Sequence, residues 1–232
     1  MQLLWEGLSE SIRLLMQGDT LVLQAAWRSL WVSLVAVGIA AIFGIAIGSL
    51  LAGTKFRGRS VLVILFRVGM AVPTVLIGVV GFAMLSRSGP LGGLDLLYTP
   101  WGIALCEIFL ALPIIVTLTH GSIRSLDARV AETAWTLGAG PLRRWQTSIS
   151  EARLGITLAL LAAFARCFTE LGIAMLVGGN IKSQTRTLAT ATALETSKGE
   201  FARGIAMSLI LLFMALVITT VAAWLSREQD RP

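Results

Sequence analysis

The chain has 232 residues, of which 56% are hydrophobic and only 14% charged, with a mean hydropathy of +0.81. Soluble domains carry roughly 25% charged residues, so this composition places the chain in a membrane. Its 23 glycines follow no triplet period and its cysteines number two, which excludes collagenous and disulfide-scaffold classes, while the apolar content excludes disorder. The excess of 19 Lys+Arg over 13 Asp+Glu is read as basic bias in cytoplasmic loops rather than as a nucleic-acid surface.

At the N-terminus, Glu6 and Glu10 stand among Leu3, Leu4, Trp5, Leu8, Ile12, Leu15 and Met16. That spacing fits an amphipathic helix at the membrane interface, not a removable signal peptide. Five apolar stretches long enough for roughly 30 Å of hydrocarbon follow, at about 28–52, 61–85, 101–120, 154–177 and 203–225. The expected fold is therefore all-α and polytopic, one transmembrane domain over 1–232 with five spans, an interfacial helix and a helix-turn-helix loop over 121–153.

Five spans put the termini on opposite sides. Ten basic residues fall on one side (Lys55, Arg57, Arg59, Arg124, Arg129, Arg143, Arg144, Arg153, Arg227, Arg231) and seven on the other (Arg13, Arg28, Arg87, Lys182, Arg186, Lys198, Arg203). The bias points to an outside N-terminus and a cytoplasmic C-terminus, with the 121–153 loop inside the cell.

Gly44 and Gly48 in the first span offer a close-packing face, either for a second chain or within this one. Pro73 and Pro113 fall within the second and third spans, where each removes a helix hydrogen bond and invites a kink. Cys106 and Cys167 sit in apolar runs and read as small packing residues. Arg67, Glu107, Arg166 and Glu170 are charges inside spans, so each needs protein or water around it. Arg166 and Glu170 are four apart and can pair on one helix face. Such charges either lock helices together or line a path for an anion, and both readings stay open. His120 closes the third span as a helix-end residue.

In the long loop, Ser125 to Leu137 has amphipathic spacing, Gly138-Ala139-Gly140-Pro141 breaks it, and a second helix runs on through Arg143, Arg144, Trp145 and Ile149. Between the last two spans, Thr185, Thr187, Thr190, Thr192 and Thr196 lie in a mostly apolar stretch. It is read as a short re-entrant or gate helix whose hydroxyls could contact an oxyanion, or as an outer connector.

Glu132-Thr133-Ala134-Trp135-Thr136-Leu137-Gly138 resembles the E-A-A-x-x-x-G signature of bacterial ABC importer permeases, although Ser148 and Glu151-Ala152-Arg153 replace its usual Ile and Leu-Pro continuation. Phe164-Ala165-Arg166-Cys167-Phe168-Thr169-Glu170-Leu171-Gly172 resembles an element of molybdate-class oxyanion permeases. Leu85 to Gly92, Glu151-Ala152-Arg153, Gly178-Gly179-Asn180, Thr185-Arg186-Thr187-Leu188 and Leu194 to Gly199 are similar to the tungstate-importing branch. The resemblance runs from about Leu30 to the C-terminus.

That resemblance implies a homodimeric inner-membrane permease working with a pair of ABC ATPase subunits and an extracytoplasmic tungstate-binding protein. ATP and Mg would be used by the ATPase and no cofactor or metal by this chain. Coupling to the ATPase is expected through Glu132, Thr133, Ala134, Gly138 and Ala139, with Gly138 as the turn and Glu132 either pairing with the partner or capping its own helix. Candidate oxyanion contacts are Thr185, Thr187 and Thr190. Molybdate or another oxyanion is the alternative cargo.

None of the three lysines, Lys55, Lys182 and Lys198, follows a glycine, so the Gly-Lys-Ser/Thr of a P-loop is impossible. One His and two dispersed cysteines are a poor basis for an intramembrane enzyme. A secondary transporter driven by an ion gradient would call for an internal inverted repeat, and none is evident.

Overall fold

The computed structural model describes residues 2–228, and among these the chain is helical without a strand. In chain order the helices are α1 (Gln2–Met16), α2 (Thr20–Gly53), α3 (Arg59–Gly69), α4 (Thr74–Leu85), α5 (Pro100–Arg124), α6 (Ala128–Thr136), α7 (Pro141–Glu151), α8 (Arg153–Phe168), α9 (Gly172–Leu176), α10 (Leu188–Ser197) and α11 (Phe201–Glu228). Three of them, α2, α5 and α11, are individually long and apolar enough to cross a membrane. Crossings number up to five when the bent pairs α3 with α4 and α7 with α8 each count as one.

The scaffold is the α2–α5 pair. Lipid gives apolar side chains no reason to prefer protein, so helix association in a membrane depends on close approach. On α2 a stripe of buried small residues, Ser29, Ser33, Ala36, Ala40, Gly44 and Gly48, meets that need. A β-carbon added at Gly44 would lie 2.7 Å from Ile115 Cγ2, and one at Gly48 2.7 Å from the Val116 carbonyl. The glycine pair thus serves packing within the chain. Around it Ile103, Leu110, Ile115, Phe164 and Phe168 fill the main core, with the last two rings stacked at 5.5 Å.

A second core joins α1, α2, α10 and α11 through Leu14, Val22, Ala25, Leu188, Ala206 and Ile210. The N-terminal helix presents its narrow stripe of Gly7, Ser11 and Leu14 to the protein. Trp5, Leu8, Ile12 and Met16 are exposed, so the large apolar residues that suggested an interfacial helix face away from the bundle.

Two spans read as continuous are interrupted. The 61–85 stretch turns by 97° between α3 and α4, where Pro73 is the N-cap of α4. Pro113, by contrast, sits within an unbroken α5. The 154–177 stretch stops at Phe168 and restarts at Gly172. The first span begins earlier than the apolar run suggests, at Thr20, because Asp19 caps it by accepting from the Leu21 N–H at 2.8 Å.

Candidate functional site: a coupling knob, two helix breaks and an anchored cap

Helix α6 starts at Asp127, whose carboxylate accepts the Arg129 backbone N–H at 2.9 Å. That bond, with the Arg129 side chain, holds the Asp127 carboxyl below its ordinary pKa. Capping of α6 thus falls to Asp127, and Glu132 stands exposed on the helix. At the other end Ala139 N–H donates to the Ala134 carbonyl and Gly138 N–H to the Trp135 carbonyl, both at 2.9 Å. These bonds form a Schellman turn, which needs a left-handed residue at the position Gly138 fills with φ +74°. Pro141 then opens α7 at its first turn.

Thr133, Ala134, Gly138 and Ala139, all expected at the coupling site, line one open groove of about 680 Å³ with Arg143 and Glu151. Trp135 is 68% exposed and Leu137 81%, so the knob offers apolar surface in an otherwise polar loop. It is tied to the bundle by Trp145, whose indole N–H donates to Ser49 Oγ at 2.9 Å. Nearby, Arg59 reaches the Leu51 carbonyl through Nε at 2.5 Å and His120 Nε2 through Nη2 at 3.1 Å. The α2 C-terminus, the start of α3 and the end of α5 are thereby held together.

The two helix breaks adjoin. A β-carbon at Gly172 would lie 3.4 Å from Val75 N, and one at Gly78 3.2 Å from the Gly172 carbonyl. Glu170 fills the second break. One carboxylate oxygen accepts from Gly172 N–H at 2.8 Å and Ile173 N–H at 3.3 Å, while the other accepts from Arg166 at 2.6 Å. Glu170 is therefore the cap of α9 as well as an ion-pair partner. Its side chain is 2% exposed against 42% for Arg166, so the cation holds the accessible end.

Arg67 is exposed in the last turn of α3, a helix with no buried residue. Glu107 is buried beside Ser33; the Cys167 thiol donates to its backbone carbonyl at 3.8 Å, and its side-chain Oε2 has no partner among the described residues.

At the far end of α2 the threonines form a short helix start. Thr185 Oγ1 donates to the Gly178 carbonyl at 2.5 Å and accepts from Ile181 N–H at 2.9 Å. Thr187 and Thr190 make a reciprocal capping box for α10. All three are buried, and their hydroxyls are occupied by the loop's own backbone. The loop is pinned to α2: Arg28 donates to the Arg186 and Ser183 carbonyls at 2.7 and 2.9 Å, and Ser29 Oγ accepts from Leu188 N–H at 3.0 Å. Ser29 and Ser49 are separated by twenty residues of one helix, about 30 Å, so the Thr loop and the knob lie a membrane thickness apart. No local pattern in the sequence marks Arg28, Ser29, Ser49 and Trp145 as anchors.

A helical membrane protein with broken spans, a protruding helix-turn-helix and intramembrane cations is built as a transport subunit. The chain belongs to the family described as binding-protein-dependent transport system inner membrane component, whose model matches residues 44–231, and it is an ABC importer permease. It is 38% identical to a "probable anion ABC transporter permease protein" of Haloferax volcanii over 88% of each chain. With a tungstate uptake system permease of Campylobacter jejuni it shares 32% identity over 97% of this chain and 94% of that one. Its fold matches a chain of the inward-facing MetNI methionine ABC transporter with a TM-score of 0.75 at 18% identity, covering 92% of this chain and 98% of that chain.

Proposed function

We propose that this chain is the membrane subunit of a tungstate importer, in which two copies enclose the pathway between their α3–α4 faces. The observation that carries this reading is Arg67. It stands exposed on α3 beside exposed Ile64, Leu65 and Val68. A cation facing hydrocarbon is costly, by roughly 2.5–3.5 kcal/mol or more at the centre of a span, so the face around Arg67 meets protein or water. Arg166 presents a second cation at the adjoining breaks, and a tetrahedral dianion is the cargo such a pair suits. Broken spans next to intramembrane charges are the usual build of transporter pathways.

The α6–α7 groove takes the ATPase, with Glu132, Thr133, Ala134, Gly138 and Ala139 in the contact, and ATP and Mg stay on that partner. A tungstate-binding protein delivers the anion to the opposite end. The N-terminus is then outside and the C-terminus cytoplasmic. The tungstate relative supports the cargo; molybdate or a related oxyanion is the other reading, which the Haloferax anion permease keeps in view.

The test is uptake into vesicles containing this chain, its ATPase and its binding protein. ATP-dependent tungstate entry that resists excess sulfate and falls at least tenfold with Arg67→Gln is expected. Entry that needs no ATPase, or preference for molybdate, overturns the corresponding part of the reading. Loss of ATPase co-purification with Gly138→Pro is expected as well.

A further inference from the structure

At the end of α2 away from the knob, a cavity of about 280 Å³ lies between the start of α2, the 181–187 loop, α10 and the start of α11. Its lining holds four cations, Lys182, Arg186, Lys198 and Arg203, and one carboxylate, Glu195. Asp19 lies 3.5 Å from Arg203 on the side of the α2 cap. With four cations against one carboxylate, the lining itself is net positive.

The existing pairings do not use up its donors. Lys198 is 3.0 Å from Glu195 Oε1. Arg186 gives Nε to the Asn180 side-chain oxygen at 3.1 Å and Nη2 to the Asn180 carbonyl at 3.4 Å. Lys182 makes no hydrogen bond or ion pair among the described residues, and the Arg203 Nε–H is buried without an acceptor. The rest of the wall, Leu21, Ala191 and Met207, is apolar and lowers the local dielectric, which strengthens attraction for an anion.

We propose that this recess is a binding site for a small tetrahedral oxyanion, a receiving station at the end of the permease opposite the ATPase knob and separate from the Arg67 and Arg166 pathway. Two guanidinium and two ammonium groups around one small cavity supply the positive charge and the N–H donors that a dianion with four oxygens accepts. The site rests on the importer reading for its role in delivery, but not for its chemistry.

The test is equilibrium dialysis of the purified permease–ATPase complex with tungstate, sulfate and phosphate, without binding protein or ATP. Bound metal is read by mass spectrometry and folding by thermal unfolding. Saturable binding of one tetrahedral anion per permease copy is expected, weakened tenfold or more by Lys182→Gln and several-fold by Arg203→Lys, which keeps the charge and removes the Nε–H.

Absence of saturable binding overturns the proposal. So does binding that falls with Arg67→Gln and not with Lys182→Gln, which would put the anion in the pathway. Capture of the binding protein lost with Lys182→Gln while anion binding is unaltered would make the recess a protein contact and also overturn it. Sulfate bound at this site in a complex that never transports tungstate would sink the cargo reading alone and leave the site standing.

Discussion

Replacing Glu170 tests whether its main task is the cap or the ion pair. Glu170→Ala leaves the Gly172 and Ile173 N–H groups, bonded at 2.8 and 3.3 Å, without acceptors in a water-poor region. An orphaned buried donor costs about 1–3 kcal/mol, and the longer of the two bonds belongs at the low end. Arg166 is 42% exposed, so losing its partner adds at most about 1 kcal/mol. The total is about 2–5 kcal/mol, and at about 2–4 °C per kcal/mol for a chain of this size Tm falls by about 4–20 °C. Glu170→Gln keeps an acceptor for both N–H groups and loses only the charge, so its cost is about 1 kcal/mol. Unfolding is read in detergent with a thiol-reactive dye, because both cysteines, Cys106 and Cys167, are free and buried. Equal losses for the Ala and Gln variants, or an Arg166→Ala loss as large as that of Glu170→Ala, would refute the capping account and return the weight to the ion pair.

Gly48→Leu drives a side chain against the Val116 carbonyl, which an added β-carbon already approaches to 2.7 Å; backbone cannot yield as a side chain can, so a cost of about 3 kcal/mol or more and loss of monodisperse protein on extraction are expected. Trp145→Phe keeps the ring and removes the hydrogen bond to Ser49 at 2.9 Å, about 1 kcal/mol, and should lower anion moved per ATP hydrolysed while the ATPase still co-purifies. For Asp127 the sign follows from its depressed carboxyl pKa. Its capping contribution is fully present above the unfolded value of about 3.9 and is lost as pH falls through the lower folded value. Proteolysis of the 126–140 loop should therefore be constant from about pH 5 to 8 and rise only in strong acid, and a rise near neutrality would contradict the assignment.

Local signals made the knob legible. Gly138 ends the first helix where the sequence put the break, a signal that acts over three or four residues, whereas Asp127, read as part of that helix, caps it, and Pro141, read as part of the break, opens the next. The crossings were legible from apolar runs, yet hydropathy is blind to a break within such a run. Glu170 therefore read as a partner for Arg166 within a continuous span, although Glu170-Leu171-Gly172 is also a helix restart with its own acceptor. For the Thr segment a short helix was one of two readings left open; the structure has a helix over Leu188–Ser197, and the destination of the hydroxyls depends on the loop closing over Gly178 and Ile181, which residue type cannot specify. Least legible were contacts distant in sequence: Trp145 with Ser49 is 96 positions apart and Arg28 with Arg186 is 158 apart. Only the folded bundle selects those partners.

These long-range contacts give the bundle its division of labour. Helix α2 is held at one end by Arg28 and Ser29 against the α10 loop, and at the other by Ser49 and Leu51 against Trp145 and Arg59. Between the ends it is fused to α5 by its small-residue stripe, so α2 and α5 behave as one strut about 30 Å long between the two anchors. The elements with few buried contacts lie beside that strut: α3 buries nothing and α4 buries only Gly78 and Leu85, one break falls between them, and the α8–α9 break adjoins α4 at Val75 and Gly78. A displacement of the knob, passed through Trp145, therefore meets a stiff element first and a hinged one second. The hinged one carries Arg67 and adjoins Arg166, so the charges nearest the proposed pathway sit on the part of the fold that costs least to rearrange.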